Sequence, residues 1–388
     1  MRTGNSEVLR SKVCKKRRVS FLARLCGRSQ VNENKNVSEN DIYIEDVNYI
    51  PPLLEVQRLT KFFPVKQGII PRTVGQVHAV DDISFTLERG ETLGLVGESG
   101  CGKSTVGKTL LRLVHPTDGS VKFEGRDIVG MKRRELRELR RDIQIIFQDP
   151  FESLNSRHTV RKILSEPFII HRLGTKAERE QKVCELLNRV GLDESAANRF
   201  PHEFSGGQRQ RIGIARAIAL KPKLIVCDEA VSALDVSVQS QIVNLLLDLQ
   251  QEMDLALIFI AHDLAVVKHV SDKIAVMYLG QIVETSTSED IYRAPKHPYT
   301  EALISAIPVA DPTRRPERII LKGDIPSPIL PPSGCRFHTR CRYALPRCSE
   351  ETPLLELASD NSSAGSAACF FWEDLKLTHT QPERIASK

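Results

Sequence analysis

Lys103 and Ser104 close the stretch GESGCGKS (97–104), which fits the pattern G-x-x-x-x-G-K-[ST]. Residue types in this order suit one task, holding a phosphate. Gly97, Gly100 and Gly102 let successive backbone N–H groups face a single anion. A helix expected directly afterwards adds the positive end of its dipole. Lys103 is placed to reach the β- and γ-phosphates, and the Ser104 hydroxyl to ligate Mg²⁺. Glu98, Ser99, Cys101 and Thr105 complete the loop.

Two later stretches supply what phosphoryl transfer needs besides a cradle. In LIVCDE (224–229) an apolar run ends in Asp228, an acid able to hold Mg²⁺ through water. Glu229 follows it and can polarise an attacking water. In FSGGQRQR (204–211), Ser205, Gly206, Gly207 and Gln208 open an expected helix, a second anion-binding N-terminus. One phosphate loop needs one cradle. A second argues for a dimer in which each chain completes the other's site.

The elements that must position these residues follow from periodicity. Residues 53–65 have strand-like apolar spacing, and 77–97 read as two strands with a turn at Arg89-Gly90. A helix is expected over 105–114, a turn over 115–120, and a short charged helix over 132–143. Residues 160–220 read as mainly helical. KLIVCDEA (223–230) and LALIFIAHD (255–263) read as buried strands, each followed by helical spacing. Such alternation gives an α/β fold with a mostly parallel sheet. Beyond residue 308 prolines thicken, which places a boundary near 310.

Composition narrows the function class. The chain has 388 residues and a net charge of +6. Residues 1–30 hold nine Lys or Arg against the single acid Glu7, so the remainder is slightly acidic. A nucleic-acid-binding core has no electrostatic support here. Residues 1–52 read as a basic, disordered extension, with contact to anionic lipid, an unused upstream start and a transit peptide as alternatives. No apolar run is long enough to span a bilayer. Nine cysteines in a long chain without a secretory signal imply a reducing compartment, not a disulfide framework.

The order of motifs resembles an ATP-binding cassette ATPase: GESGCGKS, FQD (147–149), SGGQ, DEAVSALD (228–235) and IAHD (260–263), spanning about 53–285. The resemblance implies a RecA-like core with an antiparallel β subdomain and a helical subdomain near 150–215, all within a cassette of 53–308. It implies Gln148 as the loop glutamine sensing Mg²⁺ and the membrane partner, and Glu229 as general base. Ser205 and Gly207 would touch the γ-phosphate across a dimer, Asp235 would sit in the interface loop, and His262 would contact the γ-phosphate. Phe63 is taken as the ring that stacks on adenine, with Phe62 as rival. Ala230 stands where the family usually has proline.

A narrower resemblance is to the oligopeptide/dipeptide import ATPases, in the F-type subunit. HPYTEALISAIP (297–308) and GDIPSPILPPSGCRFHTRC (323–341) carry it. Ser156 and His158 depart from the usual SLNPRMTV. The implied role is ATP-driven energy coupling at the cytoplasmic face of the inner membrane. Implied partners are two transmembrane permeases, an extracytoplasmic peptide-binding protein, and a paralogous ATPase or a second copy. Nickel, glutathione or a sugar remain alternative cargoes, and a soluble cassette ATPase is the rival class. Cys335, Cys341, Cys348 and Cys369, in the 309–388 extension, have the spacing C-x5-C-x6-C-x20-C. Four soft thiolates suggest a metal site. The resemblance implies a [4Fe-4S] cluster; zinc and free thiols stay open.

Overall fold

The computed structural model describes residues 51–68, 72–149, 153–308, 318–357, 365–375 and 377. All of them fall in the compact unit Ile50–Lys388. The expectations for residues 1–50 and for a boundary near 310 lie outside the described residues.

Two long strands come first, β1 (Leu54–Gln67) and β2 (Arg72–Leu87). They pair antiparallel and join β4 (Asp118–Phe123) and β5 (Arg126–Asp127) in a four-stranded sheet of order β2-β1-β4-β5. The second sheet has eight strands, in the order β11-β12-β10-β9-β3-β8-β7-β6. Its parallel centre is β9 (Lys273–Tyr278), β3 (Thr92–Val96), β8 (Ala256–Ala261), β7 (Leu224–Asp228) and β6 (Ile143–Ile146). An antiparallel edge follows, made of β10 (Gln281–Thr287), β12 (Ser366–Ala367) and β11 (Glu356–Leu357).

The central strands are mostly apolar because both faces are covered. Their side chains alternate between two cores with the strand period of two. Ile225 and Cys227 of β7, with Leu257 and Phe259 of β8, join the core on the side of the helices. Leu224, Val226, Ile258 and Ile260 join the core beneath the antiparallel sheet.

Ten α-helices among the described residues fill the connections. After β3 comes α1 (Lys103–Leu110), and before β6 comes α2 (Arg133–Leu139). Between β6 and β7 lie α3 (Val160–Ile170), α4 (Lys176–Arg189) and α5 (Gly206–Ile218). Thr175 caps α4 in a reciprocal pair with Glu178, which fixes where that helix starts. Next are α6 (Val236–Met253), α7 (Leu264–Val270), α8 (Ser288–Arg293), α9 (Pro298–Ser305) and α10 (Pro346–Glu350).

The expected helix over 105–114 is instead Lys103–Leu110. It begins at the loop lysine itself, and Arg112 at φ 52° ends any continuation. The expected turn over 115–120 is cut short, since β4 already begins at Asp118. The C-terminal extension is less separate than its composition suggests. Two short strands from it complete the edge of the main sheet. No helix among the described residues is long and apolar enough to cross a membrane.

Candidate nucleotide site

The loop between β3 and α1 has a backbone that only glycine tolerates. Gly97 has φ 152° and Gly102 has φ 108°. A Cβ at Gly102 would lie 1.9 Å from the Ala79 carbonyl oxygen, and one at Gly97 would lie 2.1 Å from that of Met277. The loop is thus wedged between β2 and β9, with Gly100 left facing open space. Lys103 is buried, and its ammonium donates to the carbonyls of Gly97 (2.8 Å) and Glu98 (3.1 Å). Its Nζ also lies 3.8 Å from the Cys101 sulfur. Burial pushes the Cys101 thiol above its ordinary value, with Lys103 opposing. Ser99 is exposed beside it, and Thr105 lies in the first turn of α1, its carbonyl accepting from the Thr109 hydroxyl.

Asp228 ends β7 with 4% of its surface exposed. The Ser104 hydroxyl donates to its carboxylate at 2.7 Å, across 124 residues of chain. A hydroxyl and a carboxylate this close form a hard-oxygen donor pair of the kind Mg²⁺ prefers. The glycine cradle and the buried Lys103 likewise fit a polyphosphate.

Glu229 stands one residue on, with φ 48°, a left-handed conformation rare for a residue with a side chain. Its N–H donates to the Ile260 carbonyl at 3.0 Å, and its own carbonyl accepts from the Ser232 hydroxyl at 3.0 Å. These bonds hold the bend. The bend brings the Glu229 carboxylate to Gln148, whose amide donates to it at 2.7 Å. His262, just past β8, places Nδ1 3.8 Å from the same oxygen. Three sequence-identified residues on three different loops therefore meet at the C-terminal edge of the parallel strands, where open α/β sheets bind ligands. Ala230 is 2% exposed and packs in the core.

Ser205 caps α5 in a reciprocal pair, accepting from the Gln208 N–H while Gln208 accepts from the Ser205 N–H. Gly206 packs toward Leu234, and a Cβ on Gly207 would lie 2.5 Å from Val238. Among the described residues, no hydrogen bond or ion pair joins this helix start to the phosphate loop. Asp235 is the N-cap residue of α6, its carbonyl accepting from Gln239 at 2.8 Å. Phe63 is exposed on β1 with the Lys61 ammonium 4.9 Å from its ring centre. Its rival Phe62 packs on His78 at 4.1 Å between ring centres. In the 149–160 stretch, the His158 N–H donates to the Asn155 carbonyl at 3.0 Å, and Ser156 is exposed.

Cys335, Cys341, Cys348 and Cys369 line one largely apolar pocket, closed by Phe337, Phe370 and Phe371. Burial pushes the Cys335 thiol up to about 12 and the Cys341 thiol up to about 11. Among the described residues no group of three or more His, Cys, Asp or Glu is placed to hold a metal ion. The spacing brings the four cysteines to one pocket, whose burial raises the Cys335, Cys341 and Cys369 thiols.

Two contacts to the phosphate loop were not signalled by the loop's own pattern. The Tyr299 hydroxyl accepts from the Glu98 N–H at 2.9 Å. The Arg340 guanidinium grips the Glu98 carboxylate with two bonds, at 2.7 and 3.1 Å. Tyr299 lies in the HPY segment and Arg340 in the 323–341 segment singled out above, but nothing in the sequence pairs either with Glu98.

Residues 80–232 match the ABC transporter family, and residues 283–348 match the oligopeptide/dipeptide transporter C-terminal region. The chain is similar to the oligopeptide transport ATP-binding protein AppF of Bacillus subtilis (strain 168), at 55% identity over 79% of this chain and 94% of that protein. It is also similar to the probable peptide ABC transporter ATP-binding protein y4tS of Sinorhizobium fredii, at 52% identity over 86% of this chain and 94% of that protein. Among solved structures it is similar to the dimeric ATP-binding cassette MJ0796 in a post-hydrolysis state bound to ADP and Pi. There the TM-score is 0.55 and the identity 28%, over 61% of this chain and 98% of that one. With motifs, fold and relatives in agreement, the chain belongs to the ATP-binding proteins of ABC transporters, in the group that carries the oligopeptide/dipeptide transporter C-terminal region.

Proposed function

We propose that this chain is the ATP-hydrolysing, energy-coupling subunit of a peptide importer. The observation that carries the ATPase reading is the Ser104–Asp228 bond of 2.7 Å, which joins the phosphate loop to the acid ending β7. The peptide cargo rests on the relatives named above and on the C-terminal region shared with oligopeptide and dipeptide transporters.

Lys103 leaves the carbonyls of Gly97 and Glu98 to neutralise phosphate oxygens, while the loop N–H groups and α1 hold them. Ser104 and Asp228 are the residues that would hold Mg²⁺. That ion, when bound, offsets negative charge on the phosphates. Glu229 accepts the proton of the attacking water as general base, Gln148 fixes its carboxylate, and His262, 3.8 Å from that carboxylate, contacts the γ-phosphate. Ser205, Gly206, Gly207, Gln208 and Asp235 serve the ATP of a partner ATPase, and Phe63 stacks on the base. Closing the pair biases one of two states of the transporter, which is how binding energy reaches the permeases.

The partners in this reading are two permeases, a second ATPase subunit and an extracytoplasmic peptide-binding protein. The site is the cytoplasmic face of the inner membrane. The thiol pocket takes no part in these steps. Iron, sulfide and zinc analysis of protein purified without oxygen decides between an iron–sulfur cluster, zinc and free thiols there.

The cargo is tested on the assembled complex by measuring ATP hydrolysis with the binding protein and a library of short peptides. Stimulation by peptides is the expected result. Stimulation by nickel or glutathione alone overturns the cargo and keeps the ATPase.

A further inference from the structure

Glu98 poses an electrostatic problem. It is a carboxylate inside a loop whose purpose is to hold an anion. Left free, it opposes the phosphates it adjoins. The structure resolves this from outside the loop. Arg340 pairs with both Glu98 oxygens, at 2.7 and 3.1 Å, and its side chain is 8% exposed. The backbone of the same residue is held as well, since the Glu98 N–H donates to the fully buried Tyr299 hydroxyl at 2.9 Å.

The segment that carries Arg340 is itself anchored. Arg336, four residues earlier in sequence, is buried and donates to the Asp81 carboxylate on β2 and to the Leu279 carbonyl. Beneath it, Tyr278, Tyr299 and Phe337 pack ring against ring at 4.8 to 5.3 Å. The guanidinium therefore reaches Glu98 from a rigid support, with two parallel bonds that fix orientation as well as charge.

We infer that Arg340 is a positioning residue for ATP binding: it neutralises Glu98 and turns its carboxylate away from the phosphates, so that the C-terminal region completes the phosphate loop. Arg340 touches Glu98 and not the nucleotide. Its effect belongs to ATP affinity rather than to the chemical step.

This inference rests on the ATPase reading, and the experiment separates the two. Equilibrium binding of Mg-ATP to the full chain is measured for wild type, Arg340→Met, Glu98→Gln and the double variant, alongside kcat and KM in the assembled complex. Arg340→Met is expected to weaken Mg-ATP binding about ten-fold, raising KM and leaving kcat within about two-fold. In the Glu98→Gln background the same change is expected to cost less than about three-fold, because the carboxylate it would have freed is gone. Equal losses in the two backgrounds would mean a merely structural arginine and would overturn the inference. So would unchanged binding in Arg340→Met. If Arg340→Met does not fold, Arg340→Lys serves instead, with an intermediate loss that Glu98→Gln again suppresses. A wild-type chain that binds no Mg-ATP sinks the ATPase reading itself.

Discussion

Replacing Ser104 with alanine removes one hydroxyl from a bond of 2.7 Å and leaves the chain otherwise intact. Two consequences follow, and they can be read separately. Asp228 is 4% exposed, so without nucleotide its carboxylate loses a donor where water cannot replace it. A hydrogen bond to a charged group contributes about 1.5–3 kcal/mol. For a protein of this size that is a fall in Tm of roughly 2–4 °C. The second consequence appears only with metal. Ser104 is the hydroxyl that would join Asp228 on Mg²⁺, so the gain in ATP affinity produced by Mg²⁺ should largely vanish in Ser104→Ala. ATP binding in EDTA should change little, because Lys103 and the loop N–H groups are untouched. The assay is equilibrium ATP binding with and without Mg²⁺, paired with thermal unfolding of the unliganded chain. An undiminished Mg²⁺ gain in Ser104→Ala would refute the reasoning. An equal loss with and without metal would also refute it, since Ser104 would then act through loop shape alone.

Gly102→Ala forces a Cβ to 1.9 Å from the Ala79 carbonyl at φ 108°, so nucleotide binding is expected to be lost and Tm to fall; both are read by ATP-dependent thermal shift. Cys101 has its thiol raised by burial, so alkylation by iodoacetamide at pH 7.5 should be slow, should quicken as pH rises, and should be blocked by ATP. Rapid modification at pH 7.5, followed by mass spectrometry of the loop peptide, would contradict this. His297 is fully enclosed and burial lowers it from 6.5 to about 3. Its neutral form is the folded one, so the unfolded chain binds more protons between those values. Its contribution is present above pH 6.5 and is lost as pH falls toward 3, at about 1.4 kcal/mol per unit. His297→Asn keeps an acceptor for the Tyr299 N–H and should flatten that part of the denaturation profile.

The phosphate loop was legible because its chemistry is local. Gly97, Gly102, Lys103 and Ser104 fall within eight consecutive residues, and their types leave few other uses. Asp228 was legible for a related reason: an apolar run ended by an acid says where a strand stops and what faces out. The strands β7 and β8 were read correctly because burial on both faces makes them unbroken apolar runs. What stayed hidden depends on tertiary approach. Arg340 meets Glu98 across 242 residues, and an arginine in a polar stretch looks like any solvated charge. The strands β11 and β12 are two residues each, too short for a period to show. The spacing of the late cysteines correctly brought all four to one pocket, yet spacing carries no information on how close the sulfurs stand.

The account turns on Glu229 as the base of an ATPase, and one measurement addresses it most directly. Mg²⁺-dependent phosphate release from ATP is compared in membrane-reconstituted complexes carrying the wild-type chain or Glu229→Gln, with ATP binding measured on the same samples. Glutamine keeps the size of the side chain that Gln148 meets at 2.7 Å and removes its basicity. The expected result is full ATP binding with release slowed at least about 100-fold, the usual contribution of a positioned base. Release at close to the wild-type rate, with ATP still bound, would contradict the central claim.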